Sequence, residues 1–235
     1  MQVLIPMAGE GRRFKEAGFA LPKPLIDVDG KPMIERVLDN LGMKGKYVFV
    51  VLQKHIEQVM PLLMKTVQPR VYTLHKVTEG AACTCLEAGG CYLNRNEPLL
   101  VANCDQIMEW DQQDFRNHVE ESKDDGCILT FQSDSPKNSY VELDKDDKVS
   151  RVVEKEVISN IATTGIYWWR KAGYMLDSCR KMINAGKRVN GEFYLAPSYN
   201  EMIAEGKRIG IYPVQRHWPI GTPEDLEEYL SAKSF

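Results

Sequence analysis

IPMAGEGRRF, residues 5–14, is the stretch on which the reading of this chain turns. It follows directly on the apolar run Val3-Leu4-Ile5, which has the character of a buried strand. Gly9 and Gly11 let backbone N–H groups approach an anion closely. Arg12 and Arg13 add fixed positive charge beside them. A strand that runs into such a loop is a place to hold a phosphate.

Three kinds of site use a loop of this sort. A P-loop ends in Gly-Lys-Ser/Thr, but here Gly11 is followed by Arg12-Arg13. A dinucleotide fold needs a third glycine, a helix and an acid about 20 residues further on. Phe14 occupies the third glycine position, and Pro22 and Pro24 interrupt the crossover, so an NAD-dependent oxidoreductase is disfavoured. A triphosphate site fits better. Lys23 lies in Pro22-Lys23-Pro24-Leu25-Ile26, and a proline on each side keeps it in a stiff, extended segment. Backbone donors, guanidinium groups and one lysine charge are what a polyphosphate requires.

The rest of the chain gives this loop an α/β setting. Apolar strands are expected at Gln2–Pro6, Tyr47–Leu52, Arg70–Leu74, Pro98–Asn103 and Gly126–Phe131. They alternate with helices at Pro32–Leu41, at His55–Lys65 (where Pro61 should bend or end the helix) and at Gly80–Leu93. The run YVFVVL has no polar alternation and should be buried on both faces. Alternating strands and helices imply a mostly parallel sheet with right-handed crossovers. Past residue 132 a hairpin is expected, with Tyr140–Leu143 and Lys148–Val153 flanking Asp144–Asp147. Strands at Thr163–Trp169 and Arg208–Val214 follow, with helices near 171–185 and 195–205. Thr222 should cap a last helix, with Pro223 in its first turn and Glu224 and Asp225 at its positive end.

Composition sets the outer limits. The 235 residues are 43% hydrophobic and 27% charged, with net charge −3, which suits one sizeable core. A nucleic-acid binder would usually be basic, so any anion site must be local. The six cysteines form no CxxC pair and are expected to be reduced. There is no basic segment followed by an apolar run at the start, and no apolar stretch of the ~20 residues that span a bilayer. The expectation is a cytoplasmic protein with no membrane or nucleic-acid partner. A homo-oligomer is compatible with it.

AGEGRRF followed by PKPLIDVDGKPMIE (residues 22–35) resembles the nucleotidyltransferase, or pyrophosphorylase, family that makes nucleotide sugars and related activated metabolites. The resemblance extends to IGTPEDL (220–226) and so covers nearly the whole chain. It looks most like the short single-domain members of surface-polysaccharide pathways. It implies a three-layer α/β sandwich with a mostly parallel, Rossmann-like mixed sheet, of the nucleotide-diphospho-sugar transferase type. One domain is expected over 1–235, with a nucleotide-binding part (1–132) and an acceptor-binding part (133–235).

The resemblance also implies roles. The nucleotide would be held by Met7, Ala8, Gly9, Gly11, Arg12, Arg13 and Lys23, with Glu79, Gly80 and Ala81 against the base. Arg13, Lys23 and Asp105 would be catalytic, and Asp105 would bind Mg²⁺. Lys155, Thr164, Gly165 and Glu192 would hold a small phosphorylated acceptor. Two positions depart from the pattern. Glu156 stands where a proline is usual. Pro219 stands where the second metal-binding aspartate is usual, so either Asp105 works with water and phosphates, or Asp225 or Glu192 substitutes. The implied reaction is transfer of a nucleotidyl group from a nucleoside triphosphate to the acceptor. The alternative is a regulatory nucleotide-sugar-binding protein of the same fold. Neither the base nor the acceptor follows from the sequence.

Overall fold

The structure, a computed structural model, describes residues 1–233. In chain order the strands are β1 (Gln2–Pro6), β2 (Asp27–Val28), β3 (Lys31–Pro32), β4 (Lys46–Leu52), β5 (Pro69–Leu74), β6 (Leu99–Ala102) and β7 (Gln106–Glu109). They continue as β8 (Gly126–Gln132), β9 (Ser139–Leu143), β10 (Val149–Glu154), β11 (Ile161–Trp169), β12 (Ile209–Pro213) and β13 (Arg216–Pro219). The helices are α1 (Arg12–Glu16), α2 (Met33–Leu41), α3 (Ile56–Thr66) and α4 (Ala81–Tyr92), then α5 (Gln112–Glu121), α6 (Ala172–Asn184), α7 (Tyr199–Ala204) and α8 (Pro223–Lys233).

Nine of the strands form one sheet, in which β10-β9-β11-β6-β1-β4-β5 lie side by side and β8 joins β11 to β12. β1 pairs in parallel with both β4 and β6, and β4 pairs in parallel with β5. β11 runs antiparallel to β6 and β8, which makes the sheet mixed. The chain therefore leaves β1 towards β4 and β5 and returns to its other side at β6. Such a reversal opens a crevice beyond the carboxyl ends of β1 and β6.

The sheet is covered on both faces, giving the three layers expected. On β4, Tyr47, Phe49 and Val51 join one core cluster, while Val48, Val50 and Leu52 join the other. α2, α3, α5 and α8 pack on the first face, and α4, α6 and α7 on the second. The apolar stripe foreseen on α2 is the buried one: Met33, Ile34, Val37, Leu38 and Leu41. Pro61 does not end α3, which runs on to Thr66. Pro61 is exposed, so the carbonyl it leaves unbonded faces water, while buried Val59 and Leu63 fix the helix on either side. The hairpin of β9 and β10 is present in antiparallel register, and Thr222 Oγ1 accepts from the Asp225 amide at 3.1 Å as the cap of α8. All six cysteines are free, and Cys85, Cys104, Cys127 and Cys179 are buried. Among the described residues no helix is long and apolar enough to cross a membrane.

Candidate functional site

Above β1 the chain forms a cleft of 410 Å³ between the glycine loop and the start of α4. Ala8, Gly9, Gly11 and Arg12 line one wall, and Gly80, Ala81 and Thr84 line the other. A side chain at Gly9 would point into open space, so this backbone is free to meet a ligand. The positive end of α4 faces the same cleft. Glu192, expected at the acceptor, lies on its wall too. Pro6, Val77 and Thr78 also line it and carried no motif that would have singled them out. Met7 is buried, and its amide donates to the Val50 carbonyl at 2.9 Å, so it anchors the loop to β4.

The charges around the loop are arranged unevenly. Glu10 is taken up by Lys15 (2.8 Å) and Lys54 (2.7 Å). Their hydrogen bonds hold its carboxyl down to about 2. Neither the Arg12 nor the Arg13 guanidinium makes a hydrogen bond or ion pair with a described residue, so both are available to an incoming anion.

Lys23 is paired with Asp105, which lies 82 residues further on. Lys23 follows the loop after β1, and Asp105 follows β6, so the switch in strand order brings the two together. Their side chains are 20% and 27% exposed. Burial alone would lower the Lys23 pKa; the Asp105 carboxylate outweighs that and raises it above the usual lysine range. Burial pushes the neighbouring Cys104 thiol up to about 12, so it adds no charge.

The early and late segments of the sequence pattern both close on this pair. A β-carbon at Gly221 would stand 2.8 Å from Asp105 Oδ2 and 3.5 Å from Lys23 Nζ. The Ile220 amide donates to the Asp105 carbonyl at 2.9 Å, which locks the late IGTP segment to the same turn. Pro219 pairs with Gln106 where β13 meets β7. Beside it, His217 stacks on Phe131 with ring centroids 4.4 Å apart. Both His217 ring nitrogens are buried beside the Thr164 backbone, and burial lowers its pKa to about 4, which keeps it neutral.

Gly80 couples the turn that opens α4 to the segment that carries Glu192. Its φ is +137°, and a β-carbon there would come within 2.6 Å of the Phe193 amide nitrogen. Phe193 donates to the Glu79 carbonyl at 2.8 Å and accepts from the Ala82 amide at 3.0 Å. The missing β-carbon, assigned to a base by the sequence reading, is thus required by the Phe193 backbone. Glu79 is held by Arg188, a residue no motif pointed to.

The other expected acceptor residues lie along β10 and β11. Lys155 has φ +56°, and its ammonium donates to the Tyr194 hydroxyl at 2.6 Å. Thr164 is buried, and its Oγ1 accepts from the Ile166 amide at 3.3 Å. Gly165 accepts from the Asn103 amide at 3.2 Å, tying β11 to the turn that carries Asp105. Among the described residues, no three His, Cys, Asp or Glu side chains are grouped so that they could hold a metal ion. Asp105 does not line the cleft itself but stands beside it as a single carboxylate, behind Lys23, whose Cβ would be 3.1 Å from a β-carbon on Gly11. A magnesium ion is commonly bound by one or two carboxylates plus substrate phosphates, so this arrangement fits one.

A second concavity of 390 Å³ lies between α6 and α7, lined by Tyr174, Lys181, Glu205 and Lys207 among others. Its Lys181 and Glu205 are paired with each other, and Lys207 lies over the Tyr174 ring.

Comparison with known proteins gives a consistent result. The family model described as nucleotidyl transferase matches residues 2–232. The chain is 24% identical over 233 residues to the bifunctional protein GlmU of Methanococcus maripaludis, covering 96% of this chain and 53% of that protein. It is 25% identical over 177 residues to the mannose-1-phosphate guanyltransferase of Emericella nidulans, covering 71% and 49%. The chain spans about half the length of these curated relatives. Among solved structures, the nucleoside-diphosphate-sugar pyrophosphorylase from Vibrio cholerae RC9 matches with TM-score 0.82 and 24% identity over 97% of this chain and 99% of that one. The inositol-1-phosphate CTP transferase from T. maritima matches with TM-score 0.76 and 16% identity, covering 99% and 94%. At these identities the structural likeness establishes the fold.

Proposed function

The chain belongs to the nucleotidyl transferase family, and on that premise we propose that it moves a nucleoside monophosphate from a nucleoside triphosphate to a small phosphorylated acceptor. Pyrophosphate is the other product. The acceptor is a sugar 1-phosphate or a similar phosphorylated metabolite, and the enzyme works in the cytoplasm. The observation that carries this reading is the convergence of Gly9, Gly11, Lys23 and Asp105 at the adjacent carboxyl ends of β1 and β6.

In this reading an acceptor phosphate oxygen attacks the α-phosphorus, the bond to the β-phosphate breaks, and its electrons leave with pyrophosphate. The nucleophile is already an anion, so no side chain has to accept its proton. The protein's contribution is positioning and charge neutralisation. Arg12, Arg13 and Lys23 take the β- and γ-phosphates and then the departing pyrophosphate. The glycine-loop amides and the positive end of α4 hold the nucleotide in the cleft. Lys155 and Glu192, the latter on the cleft wall, bind the acceptor, and buried Thr164 and Gly165 support the turn that carries Asp105 from beneath. Asp105 would hold a magnesium ion, which lowers the charge on the phosphates when bound.

Pyrophosphate release tests this, with each of the four triphosphates against a panel of sugar 1-phosphates and phosphorylated amines, with and without Mg²⁺. Turnover with at least one pair is expected. No release with any pair, from folded protein that binds triphosphate, would leave a nucleotide-binding protein without transferase activity.

A further inference from the structure

We infer that Lys23 is the resident counter-ion of Asp105 in the free protein, and that a divalent cation reaches Asp105 only together with a triphosphate that draws Lys23 away. This rests on the functional reading above. It adds an order of binding and a second role for Lys23.

The pair is closed in on two sides. Gly221 lies against both Asp105 and Lys23, and a β-carbon at Gly11 would stand 3.1 Å from Lys23 Cβ. The late IGTP segment and the early glycine loop thus grip one lysine between them. Magnesium gives up its water reluctantly. To reach Asp105 in the free protein it would have to displace an ammonium that is already seated.

Charge points the same way. Lys23 and Asp105 sum to zero. Pro219 supplies no carboxylate beside them, and no group of three acids, histidines or cysteines that could hold a metal ion is present among the described residues. A dication entering alone would lose hydration at a site with no net negative charge, since Arg13 adds positive charge close to Lys23, with nothing to compensate. A triphosphate changes both terms. Its oxygens offer Lys23 a new partner, and they complete a ligand set around a cation at Asp105. The exchange keeps every charge paired throughout. By linkage the coupling is reciprocal: the cation strengthens triphosphate binding by the same factor as the triphosphate strengthens cation binding.

The test uses Mn²⁺ as the probe and its electron paramagnetic resonance signal as the readout, in protein free of nucleotide. Wild type, Lys23→Met, Asp105→Asn and the double variant are compared, with circular dichroism to verify folding and Lys23→Gln in reserve should the Met variant unfold. Wild type should leave the Mn²⁺ signal undiminished at micromolar concentrations. Lys23→Met should bind one Mn²⁺ at least tenfold more tightly than wild type, and the double variant should lose it. One tightly held Mn²⁺ in free wild type that Asp105→Asn removes would overturn the inference, as would a Lys23→Met variant that binds no better than wild type. Calorimetry of the four triphosphates runs alongside. Absence of binding by all four would overturn the proposed function and this inference with it, whereas Mn²⁺ on the free wild type overturns the inference alone.

Discussion

The backbone of Phe193 fills the space that a β-carbon on Gly80 would need, although the two residues lie more than a hundred positions apart in the chain. Two hydrogen bonds, Phe193 to Glu79 and Ala82 to Phe193, hold them in register. The turn that opens α4 and the segment that carries Glu192 therefore move as one body. Gly80→Ala should destabilise the fold by about 2–4 kcal/mol, from strain at positive φ and from overpacking. Gly9→Ala, with open space around it, should keep full stability and weaken triphosphate binding instead. Urea unfolding of both variants checks the contrast.

Removing either half of the Lys23–Asp105 pair leaves the other half charged and poorly solvated. Lys23→Met and Asp105→Asn should each lower turnover by about 10³-fold and lower stability by about 1–2 kcal/mol, a value reduced for the pair's partial exposure. The double variant should regain the stability and none of the activity. Near-normal turnover in a single variant would remove the substituted residue from the reaction.

Glu10 stands at the lip of the cleft with two lysines on it. Its pKa in the folded chain, about 2, lies below the ordinary value of 4.5. The pairing therefore stabilises the fold above pH 4.5, and that contribution is lost as pH falls from 4.5 towards 2. An NMR titration should place the Glu10 midpoint near the lower value. Glu10→Gln releases Lys15 and Lys54, raises the local positive potential and should tighten triphosphate binding several-fold, most strongly at low salt.

Lys155 is tethered to Tyr194 away from the glycine loop. Lys155→Ala should raise the acceptor KM tenfold or more while leaving triphosphate binding unchanged. Steady-state kinetics with each substrate varied in turn separates the two effects.

Local signals were readable and long-range pairing was not. The glycine loop and the buried stripe of α2 depend on neighbours within a few residues, and each lies where the pattern put it. Lys23 does not keep the extended backbone expected from its flanking prolines, because Lys23–Leu25 winds into one 3-10 turn. The double-faced burial of β4 followed from its lack of alternation. The ribbon of β7 and β13 had no such signal, since Gln106 and Pro219 meet only after the sheet has formed. The same holds for Arg188 on Glu79. α5 could have been found. Its Asp111 accepts from the Gln113 and Asp114 amides, and Phe115 and Val119 follow as a buried pair at helical spacing. Lys23 and Asp105 were each legible, but their pairing depends on the strand order that places β6 beside β1.

The position of β11 has a consequence for synthesis. It lies between β6 and β8, antiparallel to both, although both precede it in the chain. A nascent chain that has emerged only as far as β8 has two strands with bare edges and nothing between them. The sheet cannot close, and the cleft cannot take its shape, until Trp169 has left the ribosome. Until then those edges are exposed to pairing with other chains, so slowed translation before residue 169 should favour aggregation over folding.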